Sequence, residues 1–590
     1  MKNLIKNIYE EIEINMTKKY IKRIKTLSFW LVTNVFICDI IVLKIEKGES
    51  TMKKTYETFG VMIDMSRNAV MSIDGLKRFL PLLSKMGYNC VMLYTEDTYE
   101  VDGEPYFGYM RGRYSKDEMK EIDDFANSLG MTVIPCIQTL AHLNAIFHWG
   151  KFPRDCDDIL LTDDERTYEL IDHMFATLSE CFRSRKIHIG MDEAHMLGRG
   201  KHLDIHGYET VNDIMKRHLA KVCEIAKKYG YEVMVWSDMY FRPWNNGKYV
   251  IPKCEMPKEV VDALPSSVIP VYWYYYQSDE KTYSDMIENH KQLSDETWFA
   301  GGAWSWYGMI PFNRFTLESM IPALDACRKH KIRNVFMTMW GDDGAECSHF
   351  SQLPSLFYLA EYAKGNCDEE KIKAKFKRLI GIDFDEFMNI DCPNNVVEYE
   401  GRPRNPSKYM LYSDYFNDFL DYTVKEGAGE KYITYAKQLH TTAKKSRKYG
   451  YVFDTAAKLC DVMAIKYELG LRTRRAYEAG DKAELERLAR NEYVKVAKLI
   501  DIYGKAFEKQ WFADNKPHGF DVQDHRIGAL LRRTDACRRR ILDYVNGKID
   551  RIEELDEALL TFRTHGESTI LNRAPLFATV NCVHFNSVPL

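Results

Sequence analysis

Between Phe59 and Asp343, short β-branched and apolar runs alternate with amphipathic stretches of helical spacing, and the number of those runs constrains the fold more than any other feature. They fall at residues 60–64, 89–94, 132–138, 186–192, 232–238, 268–275, 297–303 and 334–341. Each reads as a strand of a parallel sheet covered by helices, and eight is the number that closes a (β/α)8 TIM barrel. One intervening helix carries its own punctuation. Ser115 followed by Glu118 is a capping-box start, and Gly130 is a stop. The expected fold class is α/β, with a (β/α)8 barrel over residues 55–365. From residue 366 the composition turns to Lys, Arg, Glu and Ala at helical spacing, so an α-helical C-terminal domain is expected over residues 366–590. Its run Arg538-Arg539-Arg540 reads as a solvated helix face. The aromatic, Gly/Pro-containing stretch from Trp511 to Phe520 is open between covering the barrel mouth and packing between subunits of a homodimer.

Composition excludes other classes. Lys and Arg number 82 against 86 Asp and Glu, a net charge of −4, so no nucleic-acid partner is expected. The 14 Cys contain no CxxC pair, which fits reduced thiols and a cytoplasmic location better than a disulfide framework or structural zinc. No metal and no cofactor are implied: His and Cys do not fall into ligand spacing, and no Gly-rich phosphate loop follows the first strand. The first residues are a separate question. The run SFWLVTNVFICDIIVL at residues 28–43 contains Asp39 and is shorter than the ~20 residues that span a bilayer. Lys47-Gly48-Glu49 admits the codons AAAGGAGAA, a ribosome-binding site just ahead of Met52, so residues 1–51 are expected to be translated leader. The alternative is a membrane anchor through residues 28–45.

In such barrels chemistry sits where strands end and βα loops begin. Here those ends read Asp64-Met-Ser-Arg67, Thr95-Glu96-Asp97, Gln138 to His142, Asp192-Glu193, Trp236-Ser-Asp238, Trp273 followed by three tyrosines, Trp304-Ser-Trp306-Tyr307 and Trp340-Gly-Asp342. One Trp or Asp is ordinarily packing or a cap. Recurrence at most of the strands points instead to a site. The long second loop, with Tyr99, Tyr106, Phe107 and Tyr109, is open between contacting a substrate's leaving group and shielding the barrel end.

The octet Lys186-Ile-His-Ile-Gly-Met-Asp-Glu193 is the most informative. Strand alternation sets His188, Gly190 and Asp192 on one face, toward the barrel axis, and Ile187, Ile189 and Met191 beneath the helices. Glu193 then falls where strand gives way to loop. Two crowded carboxyls in an aromatic-lined mouth do not both ionise easily, so one can serve as general acid while its neighbour stays anionic. Pyranose rings present C–H faces to indoles and hydroxyls to carboxylates, so Trp236, Trp273, Trp304, Trp306 and Trp340 suggest a carbohydrate site. Adjacent carboxyls are not, however, the opposed pair of ordinary glycosidases.

The octet resembles the His-x-Gly-Gly-Asp-Glu signature of family 20 glycoside hydrolases, the β-N-acetylhexosaminidases, and Trp340-Gly-Asp342 resembles that family's Trp-x-Glu motif. The resemblance covers residues 59–346 and is nearest the compact bacterial branch whose barrel precedes a helical domain. It implies a retaining exo-acting enzyme that releases terminal β-GlcNAc or β-GalNAc by substrate-assisted catalysis, the 2-acetamido oxygen attacking the anomeric carbon. It further implies Glu193 as general acid and base, Asp192 as partner of the acetamido N–H, and Tyr307 as donor to the acetamido oxygen. Trp236, Trp273 and Trp340 become pocket walls, Asp342 a ligand of O4 or O6, and His142 a link with His188 and Asp192. Trp304 and Trp306 read first as packing, with Trp304 also carried as a further substrate contact. Two departures stand out. The family's Arg-Gly at the first strand appears as Phe59-Gly60, leaving its hydroxyl clamp missing or supplied by Arg67 or Glu96, and Met191 replaces the second Gly of the signature. The alternatives are a barrel glycosidase using two separated carboxylates on non-acetamido sugars, and a non-catalytic carbohydrate-binding barrel.

Overall fold

The computed structural model describes residues 55–560 apart from residues 343, 398–402 and 419. The leader and anchor readings therefore lie outside the described residues, and no described helix is long and apolar enough to cross a membrane.

Eight parallel strands close into a barrel in sequence order: β1 Thr58–Asp64, β2 Cys90–Tyr94, β3 Thr132–Cys136, β4 Lys186–His188, β5 Glu232–Trp236, β6 Ile269–Trp273, β7 Trp298–Gly302 and β8 Asn334–Met339. Around them run α1 Ile73–Met86, α2 Lys116–Ser128, α3 Glu165–Cys181, α4 Val211–Lys228, the single turn α5 Lys258–Val261, α6 Glu280–His290, α7 Asn313–Lys329 and α8 Leu353–Ala363. The capping box read at Ser115 and Glu118 forms at the start of α2. Closure is completed at the mouth, where the Gly341 N–H donates to Asp64 Oδ2 at 2.9 Å and ties the end of β8 to that of β1.

β4 is shorter than expected, ending at His188. Gly190, Met191 and Glu193 adopt φ of +75°, +71° and +51°, so the chain coils out of the sheet immediately after the strand. Strand alternation therefore does not reach Asp192, and the coil itself turns it toward the barrel centre. Left-handed backbone is easy only for Gly, so Met191 and Glu193 store strain of about 1–3 kcal/mol each that their surroundings must hold.

After the barrel come α9 Ala428–Lys445, α10 Gly450–Glu478, α11 Tyr493–Asp514 and α12 Phe520–Val545, with shorter helices between α8 and α9. Two buried polar junctions fasten this region to the barrel mouth. Asp514, at the end of α11, accepts from Ser348 Oγ and Tyr451 Oη at 2.6 Å each and pairs with Arg78 at 3.0 Å, while its carbonyl accepts the Ser72 N–H that opens α1. Glu346, in the loop after β8, pairs with Lys408 and Arg526 at 2.6 Å each, all three side chains at most 4% exposed. The stretch read as an interruption divides: Trp511 belongs to α11, and residues 515–519 turn against the chain's own barrel. There the Lys516 N–H donates to the Val70 carbonyl at 2.7 Å and Lys516 Nζ pairs with Glu118 at 2.7 Å.

Removing Glu346 takes from the buried Lys408 and Arg526 the carboxylate that both pair with, so Glu346→Ala is expected to cost about 3–5 kcal/mol. Urea-unfolding midpoints check this against Glu508→Ala on the exposed face of α11, expected within about 0.5 kcal/mol of the parent.

Candidate active site

A hydrogen-bonded chain of side chains crosses the mouth from the loop after β1 to the loop after β4. Arg67 pairs with Glu96 Oε1 at 2.9 Å, Tyr94 Oη donates to the same oxygen at 3.1 Å, and Gln138 Nε2 donates to Tyr94 Oη at 2.9 Å. Gln138 Nε2 also donates to Asp192 Oδ1 at 2.7 Å, and His142 Nε2 stands 3.3 Å from Asp192 Oδ2. Gln138 thus donates to one Asp192 oxygen, while the His142 imidazole stands beside the other as an ion-pair partner.

The electrostatics agree. Burial works to raise the Asp192 carboxyl, but the His142 charge beside it and the Gln138 amide outweigh it and hold the group below its usual value. Burial likewise works to lower His142, yet the Asp192 charge wins and lifts the imidazole to about 10. His142 is thus an imidazolium among carboxylates, with Glu193 Oε2 at 3.9 Å and Asp158 Oδ2 at 3.7 Å. Its own φ is +59°, fixed by a backbone N–H donated to Asp158 at 2.9 Å. Gly190 is required at its place: its φ is +75°, and a Cβ there would lie 2.0 Å from Gln138 Oε1. That Gln138 oxygen instead accepts the Met191 N–H at 3.0 Å, bracing the coil that presents the two carboxyls.

Glu193 is the more open of the pair, its side chain 37% exposed. Its N–H donates to Asp238 Oδ2 at 3.1 Å, and Arg242 pairs with Asp238 at 3.0 Å while reaching Glu193 Oε1 at 3.5 Å. Burial, then the Asp192 charge, push the Asp238 carboxyl up to about 7 against the pull of Arg242. Asp238 and Arg242 thus brace Glu193 by backbone and side chain. The sequence distinguishes neither: Asp238 is one of many polar strand ends, and nothing in the pattern marks Arg242.

The aromatic residues line the centre. Trp236 packs on His188 at 4.2 Å between ring centres and on Trp340 at 6.0 Å, and Trp340 meets Tyr94 edge-on at 4.8 Å. The Trp273 indole donates to Asp238 Oδ1 at 3.4 Å. Tyr307 packs edge-on against Trp304 at 5.0 Å, and its carbonyl accepts from Asn405 of the helical region. Trp304 lies beneath, 1% exposed and stacked on Trp306, with its indole N–H donated to the Tyr275 carbonyl at 2.9 Å. Its geometry is that of support for Tyr307. His188 lies on the axis as expected, but its Nδ1 accepts the Gly190 N–H at 3.1 Å. Burial lowers it to about 3, so the neutral ring braces the coil instead of pairing with a carboxylate. Asp342 is partly exposed on the loop after β8, where its charge acts on Arg67 and Tyr275.

The departure expected at Phe59-Gly60 concerns the wrong end of the strand. Phe59 stacks on Tyr88 at 4.9 Å near the start of β1, far from the mouth, whereas Arg67 follows its end. A second cluster has no signature in the sequence: ligand-type atoms of Asp163, His202 and His206 lie within 4.8 Å of one another. It is already paired internally, His202 Nε2 to Glu209 at 2.8 Å and Arg217 to Asp163 at 3.0 Å.

Paired carboxyls among indoles at the mouth of a βα barrel make a carbohydrate-cleaving site, and comparison with known proteins gives its family. Residues 56–254 match the catalytic domain of glycosyl hydrolase family 20, and residues 383–572 match the glycoside hydrolase 20C C-terminal domain. The chain belongs to family 20 of the glycoside hydrolases. Curated relatives include hexosaminidase D of Homo sapiens, 22% identical over 346 residues that cover 54% of this chain and 68% of that protein. Hexosaminidase D of Bos taurus is 24% identical over 345 residues, 53% of this chain and 94% of that one. Among solved structures, the exo-β-N-acetylglucosaminidase of Vibrio harveyi, in complex with N-acetylglucosamine, aligns with a TM-score of 0.42 at 15% identity. That alignment covers 55% of this chain and 58% of the Vibrio harveyi chain, less than two thirds of its length.

The His142 pairing sets a pH dependence. A folded-state value near 10 against an ordinary 6.5 means the native state holds the proton longer than the unfolded one. Its stabilisation is complete below about 6.5 and lost as pH rises through about 10. Urea midpoints measured across that window should fall with pH in the parent and fall less steeply in His142→Gln.

Proposed function

We propose that the protein is a retaining exo-β-N-acetylhexosaminidase that releases terminal GlcNAc or GalNAc by substrate-assisted catalysis. The observation that carries this reading is the division of labour between neighbouring carboxyls: Asp192 is held ionised by His142 and Gln138, while Glu193 stands more open, braced by Asp238 and Arg242. An anion fixed beside the sugar ring accepts the acetamido N–H and stabilises the positive charge that develops as the acetamido oxygen attacks the anomeric carbon. Glu193 gives its proton to the departing glycosidic oxygen, then takes one from the incoming water as the oxazolinium intermediate opens. The Tyr307 hydroxyl donates to the acetamido oxygen. Trp236, Trp273 and Trp340 enclose the ring and methyl group, and Asp342 takes O4 or O6. The hydroxyl clamp falls to Arg67, oriented by Glu96, which replaces the arginine sought at Phe59.

Hydrolysis of 4-nitrophenyl β-GlcNAc, β-GalNAc and β-glucoside side by side tests the reading. Turnover of the acetamido sugars alone is expected, and turnover of the glucoside would favour two separated carboxylates. Glu193→Gln should cost about 10²–10⁴ in rate with poor leaving groups and less with nitrophenol, which needs little protonation. Asp192→Asn should depress turnover for every leaving group, and a thiazoline analogue of the intermediate should bind far more tightly than GlcNAc.

A further inference from the structure

We propose that Tyr106, Tyr109 and Trp149 form a second carbohydrate subsite, an open aromatic platform on the rim of the barrel that receives the sugar rings on the leaving-group side of the scissile bond. The inference rests on the hexosaminidase reading and adds the class of its leaving group: an oligosaccharide, not a small alcohol.

The loop after β2 sorts its aromatic residues sharply. Tyr99 and Phe107 are buried at 1% and 0% exposure, pack edge-on at 5.2 Å and anchor the loop, whereas Tyr106 and Tyr109 stand out at 47% and 49%. Single exposed aromatics need no explanation. These two are grouped with Trp149 from the next βα loop: Tyr106 to Tyr109 6.4 Å, Tyr106 to Trp149 5.8 Å and Tyr109 to Trp149 5.1 Å between ring centres. Rings from two loops, inclined to one another, present several faces of the kind that accept pyranose C–H surfaces, and the tyrosine hydroxyls suit sugar oxygens.

The platform is held firmly and stands close to the site. Gly108 has φ of +65°, and a Cβ there would fall 2.1 Å from the Asp97 carbonyl oxygen, so the residue before Tyr109 lies directly on the neighbour of Glu96. Arg111, two residues beyond Tyr109, pairs with Asp97 at 3.2 Å, and Gly112 is packed against His518 of the turn before α12. On the other side, Trp149 follows His142 by seven residues, four of them the helical turn Asn144–Phe147. At ~1.5 Å per helical residue and at most ~3.3 Å for each of the other three, the Trp149 backbone lies no more than about 16 Å from that of His142, the Asp192 partner, within reach of the sugars that follow the first. Because the loop is already fixed, stacking there does not have to order it first.

The test separates this subsite from the reaction. In Glu193→Gln full-length protein, expected to cleave chitotriose about 10²–10⁴ times more slowly, calorimetry measures the affinity for chitotriose and for GlcNAc. Tyr109→Ala and Trp149→Ala are each expected to weaken chitotriose about tenfold, the scale of a well-placed aromatic anchor, while changing GlcNAc much less. Trp149→Phe, which keeps a ring face, should recover most of the loss. Failure of the parent to bind chitotriose, or equal affinity in parent and both alanine variants, overturns the platform. Weakened binding in the variants, together with no turnover of acetamido sugars by Glu193-intact protein, upholds the platform and overturns the enzymatic reading instead.

Discussion

The buried ion pair of Asp192 and His142 is the interaction on which the mouth of this barrel depends. A carboxylate 7% exposed among indoles is costly unless a counter-charge and hydrogen bonds meet it. His142 supplies the charge and Gln138 the hydrogen bond, and each is itself fixed: His142 by Asp158, Gln138 by Tyr94 and the Met191 N–H. The coil after β4, in which Gly190, Met191 and Glu193 all have positive φ, is what the pair and its supports hold in place. Strain and buried charge are accepted together because each constrains the other.

The helical region extends that logic outward. Loops after β7 and β8 carry Tyr307 and Asp342, and both are gripped from outside the barrel, Tyr307 through its carbonyl by Asn405 and the β8 loop through Glu346 by Lys408 and Arg526. Asp514 does the same for the start of α1 and for Ser348. Without these fastenings the mouth loops would be exposed connections of ordinary mobility. The described helices therefore hold the loops of the barrel mouth from outside.

Much of this architecture is legible in the amino-acid sequence. Eight apolar runs close a barrel because a strand buried on both faces has little other use in a chain of this length, and the aromatic and acidic strand ends gather because closure brings them to one rim. What the sequence hides is whatever depends on tertiary partners. Period-2 alternation leads to Asp192 by way of a strand that in fact stops at His188; the carboxyl points inward because Gly190 and Gln138 force the chain to coil. Asp238 and Arg242 matter through a backbone N–H and a salt bridge four residues apart, which no spacing distinguishes from a helix-face pair. Trp304 and Trp306, which read first as packing, are stacked on each other beneath Tyr307, as a pair that the sequence alone does not show to be in contact.

The same reasoning resolves the first strand. A residue at the start of a barrel strand and one just past its end are separated by the height of the barrel, so a clamp for sugar hydroxyls can be sought only after Asp64. Phe59 satisfies the apolar layer against Tyr56 and Tyr88, and Gly60 keeps the strand close to Cys90 and Phe336, where an added Cβ would sit 3.1 Å and 3.3 Å from theirs. Arg67 stands at the end that faces the site, its guanidinium paired with Glu96 and drawn further by the charge of Asp342. An arginine paired with a buried carboxylate at a sugar-binding mouth keeps its planar donors in a fixed direction. The Glu96 carboxyl on one side and the hydrogen-bonded chain to Asp192 on the other tie that direction to the position of the carboxyl pair.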